Sequence, residues 1–246
     1  MKKKIKKILQ IPPIRVYEIY RDNILLKKRK IKQESLLRVY LENNNEKKLH
    51  IGCGANVLPG WFNTDFNDIN ENVAFLDAGD KFPLAKESFD YVFSEHLFEH
   101  LDVSQQINML KESWRILKPG GLMRIAMPSL EFLFDLYSTP TKPENRDYVN
   151  WYVKNSPYLS LVNEKVADES YHYCYIINNF FKAWGHKMIH NFDSLKNLAL
   201  QIGFCEIIET EVGISDYKSL QDIEKHGTII PANFNRQETM VVEIKK

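Results

Sequence analysis

Short apolar runs alternate with amphipathic segments from residue 47 to the end of the chain. Most runs are bounded by Gly, Pro, Asn or Asp, as strands usually are. The pattern predicts seven strands, over residues 48–52, 62–66, 73–78, 89–94, 122–127, 205–212 and 238–244. Strands that alternate with helices predict an α/β domain with a mostly parallel sheet, and the last two strands are expected to form an antiparallel pair at its edge.

Two helices are predicted together with their ends. One apolar face recurs at three- and four-residue spacing, at Ile107, Leu110, Trp114 and Leu117. Asp102 and Gln105 suit a capping box before this helix, and residues 119–121, Pro-Gly-Gly, are expected to end it. A second helix is predicted over residues 194–201, with Gly203 as its C-cap.

Residues 130–190 interrupt the alternation with a segment rich in Phe, Tyr and Trp. Its position after the fifth strand favours a lid or a wall of a substrate pocket. The alternative is ordinary core, because aromatic side chains bury large areas wherever they occur. We therefore expect a basic N-terminal helical extension over residues 1–46 and one domain over residues 47–246 that contains this insertion.

The composition, with 44% hydrophobic and 26% charged residues among 246, is that of a globular protein. The net charge of +1 conceals an asymmetry, because residues 1–48 hold fifteen Lys and Arg against five Asp and Glu. Such a basic arm suits peripheral contact with an anionic membrane or packing on the acidic remainder of the chain. Nucleic acid is the least favoured partner, because few aromatic residues are interleaved for base stacking.

The sequence favours a cytoplasmic protein with reduced thiols. It contains no apolar run long enough to span a bilayer, and its N-terminus lacks the apolar stretch of a signal peptide. Its three cysteines are far apart and show no CxxC or Cys/His spacing. Neither a disulfide framework nor a structural zinc site is expected.

A glycine turn, Gly52-Cys53-Gly54, follows the first predicted strand. Glycine allows a ligand to approach the backbone closely. Val57 stands where the dinucleotide fingerprint has its third glycine, which disfavours NAD and FAD. Asp65 and Asp77 stand at the ends of the next two strands, where carboxylates can bind ribose hydroxyls and an adenine amino group. The three strand ends together suit a bound ligand that contains a nucleoside without phosphates.

Further motifs follow in order along the chain: Phe-Pro-Leu at residues 82–84, SFDYVFSEHLFEHL at residues 88–101 and WRILKPGG at residues 114–121. With the strand ends, this order resembles the class I S-adenosylmethionine-dependent methyltransferases, in particular the small-molecule branch called type 11. The resemblance is strong over residues 48–129 and loose over residues 184–246. It implies a Rossmann-like, doubly wound, mostly parallel sheet of seven strands with the last antiparallel, and S-adenosylmethionine as cofactor.

The resemblance also implies a set of cofactor-binding residues: Gly52, Cys53, Gly54, Asp65, Asp77, Ala78 and Ser94. It places the glycines under the cofactor, Asp65 at the ribose, Asp77 at the adenine and Ser94 beside the methionine moiety. Asp65 lies only eleven residues after Gly54, too few for a full helix and a strand. A shortened first helix of this kind resembles a variant found in methyltransferase-like proteins of surface-glycan pathways.

Three histidines are candidate catalytic bases. His96 and His100 directly follow the fourth predicted strand, and His186 follows the aromatic insertion. A hydroxyl acceptor would need such a base, whereas a carboxylate or thiolate would not. The alternatives are that His100 braces the following loop and that His186 is a surface residue. Residues 96–100 also match the HxxEH zinc-protease pattern, but the longer methyltransferase-like string explains them, so no metal is expected.

The predicted function is methyl transfer to a small-molecule or saccharide acceptor, with a lipid-linked glycan and polysaccharide biosynthesis as one version. In that version the basic arm holds the enzyme at the inner face of the membrane. Two alternatives stay open at this point. One is a methyltransferase-like fold that binds a nucleoside without chemistry, and the other is a module recruited to membranes by its arm.

Overall fold

The computed structural model describes residues 13–67 and 69–246, with side chains from residue 24 onward except at residue 68. The lysine-rich stretch at residues 2–9 and Pro12 lie outside the described residues. The first described element is helix α1 (Pro13–Asn43), which packs against the edge of the sheet. There the Arg29 guanidinium lies 4.7 Å from the ring centroid of Phe75. No helix in the described ranges is both long and apolar enough to cross a bilayer.

A seven-stranded sheet with the order β3-β2-β1-β4-β5-β7-β6 forms the centre of the fold. The strands are β1 (Lys48–Ile51), β2 (Phe62–Asp65), β3 (Ala74–Phe75), β4 (Phe89–Glu95), β5 (Leu117–Pro128), β6 (Glu206–Thr210) and β7 (Thr239–Lys245). Strands β1 to β5 pair in parallel, and β7 runs antiparallel to both β5 and β6. This topology confirms the predicted Rossmann-like sheet and its antiparallel edge pair.

Strand β3 is much shorter than predicted. The backbone N–H of Leu76 still donates to the carbonyl of Asp65, but the chain then turns around Asp77. The Asp77 side chain accepts a hydrogen bond from the N–H of Gly79, and its carbonyl accepts one from Asp80. Asp residues favour such local turns over a strand ladder, which ends the pairing early.

Helix α2 (Val103–Ile116) begins with the predicted capping box between Asp102 and Gln105. It ends at Ile116, before Pro119 as predicted. Residues 119–121 were expected only to end the helix, but they also lie inside β5, because this extended segment pairs with the end of the chain. The N–H of Gly120 donates to the carbonyl of Lys246, and the N–H of Lys246 donates to the carbonyl of Gly121.

The aromatic insertion folds into four helices: α3 (Leu130–Ser138), α4 (Pro143–Asn155), α5 (Ser160–Lys165) and α6 (His172–Lys182). They share a buried cluster that includes Phe132, Tyr148 and Ile176, separate from the main core of the sheet. Helix α7 (Phe192–Ile202) then returns to the sheet and ends at Gly203, as predicted. Helix α8 (Ala232–Glu238) leads into β7. The insertion is therefore a second layer beside the carboxyl end of the parallel strands.

Candidate active site

The glycine turn and the end of β2 are joined by hydrogen bonds. Gly52 and Gly54 have φ angles of +70° and +49°, which glycine adopts without strain. The N–H of Gly54 donates to Asp65 Oδ2 at 2.9 Å, and the N–H of Asn67 donates to Asp65 Oδ1 at 2.7 Å. Residues 52–61, a stretch that is described in full, form turns and no helix. The short connection thus brings the Asp65 carboxylate directly beside the turn.

The seven predicted cofactor residues divide by exposure. Gly52, Gly54, Asp65 and Asp77 are partly exposed at the carboxyl edge of the sheet, whereas the other three are buried: Cys53, Ala78 and Ser94. Burial, together with the nearby Asp65 carboxylate, raises the pKa of the Cys53 thiol to about 12. The Ser94 hydroxyl is fully buried and has no hydrogen-bond partner among the described residues. A role for these three side chains at a cofactor stays a prediction.

Leu97 connects the glycine turn with the histidines after β4. A Cβ atom placed on Gly52 would lie 2.6 Å from Leu97 Cδ2, so only glycine leaves room for this side chain. Leu97 directly follows His96 in the chain. The contact between Gly52 and Leu97 therefore places the glycine turn beside the segment that carries His96.

A cavity of about 640 Å³ opens beyond His96, between the end of β4 and the insertion. Its polar lining consists mainly of four histidines and two glutamates: His96, His100, His186, His226, Glu99 and Glu238. Its aromatic lining comes from the insertion: Trp151, Tyr152, Tyr158, Phe180 and Trp184. The insertion is both a wall of this cavity and a core of its own, and a substrate in the cavity stays a prediction.

His96 and Glu99 form a pair at the floor of the cavity. The chain turns sharply at His96, with φ +45°, and the 3₁₀ turn Phe98–His100 brings Glu99 back beneath it. His96 Nδ1 lies 3.2 Å from Glu99 Oε1. Burial favours the neutral forms of both groups, but the hydrogen bond between them and their opposite charges raise the pKa of His96 and lower the pKa of Glu99. Glu99 is thus an ionised carboxylate that orients the His96 ring.

Two further imidazoles approach Glu99. His100 Nε2 lies 3.9 Å and His186 Nε2 lies 4.0 Å from Glu99 Oε1. His186 is held there because the N–H groups of the next two residues, Lys187 and Met188, donate to the carbonyl of Glu99. Burial lowers the pKa of His186. The structure thus brings together all three predicted catalytic histidines.

A second histidine–glutamate pair was not predicted from the sequence. His226 Nε2 lies 3.3 Å from Glu238 Oε1, and the His226 ring stacks on His96 with a centroid distance of 3.9 Å. Glu238 also accepts a short hydrogen bond from the Tyr148 hydroxyl. His226 belongs to no sequence motif, so the sequence offered only an indirect indication that it lies in this site. Glu95, a carboxylate at the buried end of β4, needs partners, and it finds them in the N–H groups of Lys225 and His226.

Residues 49–125 match the sequence model of a family described as "Methyltransferase domain". This stretch, about a third of the chain, is similar to methyltransferase domains. The sheet edge suits a nucleoside such as that of S-adenosylmethionine, because nothing lies within 4 Å of a Cβ position on Gly54 and because Asp65 and Asp77 can each accept further hydrogen bonds.

Solved structures of several methyltransferases are similar to this protein. A SAM-dependent methyltransferase from Archaeoglobus fulgidus is 17% identical with a TM-score of 0.46, and the match covers 89% of this chain and 94% of that one. For an S-adenosylmethionine-dependent methyltransferase from Mesorhizobium loti the identity is 13%, the TM-score 0.45 and the coverage 87% and 98%. A possible histamine N-methyltransferase from Thermotoga maritima is 15% identical with a TM-score of 0.43, covering 94% and 97%. No curated protein matches the sequence.

Proposed function

We propose that the methyltransferase domain transfers a methyl group to a hydroxyl of a small, ring-shaped molecule bound in the cavity, of which a saccharide is one example. The observation that carries this proposal is the His96–Glu99 pair. It lies next to the glycine turn on one side and opens to a cavity with aromatic walls on the other. A base paired with a carboxylate is what a weakly acidic acceptor requires.

The donor would be held by the carboxyl edge of the sheet. S-adenosylmethionine supplies a methyl group on a positively charged sulfur when it is bound. The backbone at Gly54 allows close approach, and Asp65 and Asp77 can accept hydrogen bonds from hydroxyl and amino groups. Leu97 packs against Gly52 and closes this edge toward the histidines.

His96 is proposed to accept the proton of the hydroxyl. In the neutral ring Nδ1 donates to the ionised Glu99, which leaves the lone pair on Nε2. Nε2 is buried beneath the His226 ring and has no hydrogen-bond partner in the described part of the chain. A rotation of the His226 side chain would expose it to the acceptor. Glu99 would then stabilise the imidazolium that forms.

The aromatic wall would supply binding and exclude water. Trp151, Tyr158 and Trp184 line the same cavity as the histidines and suit the apolar faces of a ring. Methyl transfer depends mainly on aligning acceptor and methyl group in a dry pocket, so such a wall contributes to the rate through orientation. A carboxylate or thiolate acceptor would need no base and would leave both histidine–glutamate pairs unexplained.

The first test is calorimetric titration of the full chain with S-adenosylmethionine and S-adenosylhomocysteine, with NAD as a control. We expect saturable binding of the first two only. Asp65→Asn should weaken binding about 10- to 100-fold, as loss of hydrogen bonds to a charged group does. Asp193→Asn, which changes an exposed carboxylate in the first turn of α7, should leave the affinity unchanged. Absence of binding would overturn the proposal.

The second test addresses the acceptor. Tritiated methyl groups from S-adenosylmethionine would be followed into small-molecule and saccharide fractions. Each labelled product would then be treated with mild base to see whether the methyl group is released. We expect an alkali-stable methyl ether, formed about 10² to 10⁴ times more slowly by His96→Gln. A base-labile methyl ester as product, or an unchanged rate in His96→Gln, would contradict a base-assisted transfer to a hydroxyl.

A further inference from the structure

Glu99, His100 and His186 form a group of potential metal ligands at one side of the cavity. Each offers one ligand atom, and these atoms lie within 4.8 Å of one another. His100 Nε2 and His186 Nε2 are 3.9 Å and 4.0 Å from the same carboxylate oxygen of Glu99. Two of the ligands are adjacent in sequence, and the third comes from the far end of the aromatic insertion.

The carboxylate of Glu99 is not fully used by the protein. Its side chain is completely buried, and Oε2 has no hydrogen-bond partner in the part of the chain that the structure describes. A buried carboxylate oxygen without a partner is costly unless a cation or a donor satisfies it. His96 is hydrogen-bonded to Oε1, the oxygen that His100 and His186 approach, and Oε2 of the same carboxylate is left for a cation bound by both oxygens.

The His186 ring presents a lone pair to this carboxylate. Its Nδ1 lies 2.7 Å from the carbonyl oxygen of Phe180, and because a carbonyl only accepts, Nδ1 carries the hydrogen. Nε2 is therefore the unprotonated nitrogen of the neutral ring. Metal-binding histidines are commonly oriented by a backbone carbonyl in this way.

The backbone around the group holds the ligands in place and leaves room for them. The N–H groups of Lys187 and Met188 donate to the carbonyl of Glu99 at 2.8 and 3.2 Å. Gly185, with φ +81°, precedes His186, and a Cβ atom there would lie 4.0 Å from His100 Nδ1. The rings of His100 and His186 meet edge to face, with centroids 4.8 Å apart.

We propose that Glu99, His100 and His186 bind a divalent cation of the zinc type, with its remaining coordination position open to the cavity. Two imidazoles and one carboxylate with an open fourth position are a ligand set that catalytic zinc uses. Zinc bonds of about 2.0–2.2 Å require ligand atoms about 3.4 Å apart. The widest pair of ligand atoms, up to 4.8 Å apart, therefore needs to close by about 1.4 Å at most, and the two contacts with Glu99 Oε1 by about 0.6 Å.

This site differs from the HxxEH interpretation of the sequence. His96, the first histidine of that pattern, pairs with Glu99 Oε1 and stacks on His226. The third ligand is His186, which lies 86 positions beyond His100 in the sequence. The local pattern did not predict a metal because the ligand set is completed only by the fold. A hydroxyl bound at the open position would lose its proton more readily, and this role rests on the proposed function.

The test is direct metal binding by the full chain, with any affinity tag removed and without cofactor or acceptor. The protein would be treated with chelator and titrated with Co²⁺, whose absorption reports low coordination number and nitrogen ligands, and then with Zn²⁺ in competition. We expect one equivalent to bind. His100→Gln and His186→Gln should each weaken binding by at least tenfold. His226→Gln, which changes a cavity histidine outside the ligand set, should bind like the unaltered chain.

His100→Gln is the decisive variant, because this partly exposed side chain has only a long contact with Glu99 and an edge-to-face contact with the His186 ring, so its replacement is expected to leave the fold intact. Circular dichroism checks that expectation. No stoichiometric Co²⁺ binding, or equal affinity in His100→Gln and the unaltered chain, would overturn the metal site. These results are independent of methyl transfer. Metal binding without S-adenosylmethionine binding would contradict only the proposed function. Binding of S-adenosylmethionine without metal binding would contradict only the metal site.

Discussion

The Glu95 carboxylate accepts a hydrogen bond of 2.9 Å from the backbone N–H of His226, although the two residues are 131 positions apart. The same carboxylate accepts the N–H of Lys225. Glu95 is the last residue of β4, directly before His96. One strand end thus positions both stacked histidines, His96 through the chain and His226 through the carboxylate.

We predict that Glu95→Ala releases the segment around His226. Its backbone N–H groups lose their acceptor, so amide hydrogen exchange at Lys225 and His226 should become at least tenfold faster, which corresponds to about 1.4 kcal/mol of lost protection. Exchange in α2 should not change. Glu95→Gln keeps one carbonyl acceptor and should recover most of the protection. Equal exchange in Glu95→Ala and the unaltered chain would show that Glu95 does not position His226.

A second prediction concerns the contact between Gly52 and Leu97. Gly52→Ala places a Cβ atom in a left-handed conformation and against the Leu97 side chain, and either effect costs about 1–3 kcal/mol. We expect a lower free energy of unfolding in urea and weaker binding of S-adenosylmethionine in calorimetry.

The matched control is Gly60→Ala, because Gly60 has a similar φ of +74° but nothing within 4 Å of its Cβ position. It should lose only the conformational part of the stability. The double variant Gly52→Ala with Leu97→Ala should regain part of the lost cofactor affinity. If Gly60→Ala were as damaging as Gly52→Ala, the close approach of Leu97 would have no measurable role.

Local features of the fold could be predicted from the sequence, and features that depend on distant partners could not. The capping box of Asp102 and Gln105 was found because both members lie in one turn. The strand character of residues 119–121 was missed because their partner is Lys246, at the other end of the chain. Proline and two glycines are ordinary helix-ending residues, and only that pairing makes them part of a strand.

The candidate site divides in the same way. His96, Glu99 and His100 belong to one short sequence motif that indicated candidate catalytic residues. Gly52 and Asp65 were found because they stand at the ends of predicted strands. His226 and Glu238 carried no such signal, since neither lies at a motif or at the end of a parallel strand. Their place in the cavity is fixed by Glu95 and by the Tyr148 hydroxyl, which are more than 80 residues away in sequence.

A third prediction concerns the buried ion pairs of Arg124. This side chain is fully buried in β5, with Nε 2.5 Å from Glu224 Oε1 and Nη1 2.6 Å from Glu243 Oε1. Arg124→Met leaves two buried carboxylates without their cation and should lower the free energy of unfolding by about 3–5 kcal/mol in urea denaturation.

Lys118→Met is the control for Arg124. Lys118 forms a more exposed pair with Asp90, and its loss should cost at most about 1 kcal/mol. Because Glu224 lies next to the segment that carries His226, partial unfolding of Arg124→Met should begin there. A change of less than about 1 kcal/mol in Arg124→Met would mean that the carboxylates find other partners.

The last prediction is an acid sensitivity that originates at His50 in β1. His50 is buried against Phe93, with Nδ1 3.2 Å from Asn63 Oδ1, and burial lowers its pKa to about 4. The unfolded chain binds this proton at an ordinary pKa of about 6.5, so the stabilising contribution of neutral His50 is complete above that pH. It declines as the pH falls toward 4, by about 3 kcal/mol in all. His50→Gln cannot titrate, so its free energy of unfolding, measured in urea at pH 7.5 and 4.5, should fall by less than that of the unaltered chain. Equal decreases in the two proteins would place the acid sensitivity at other groups, such as the buried His190, and would contradict this assignment.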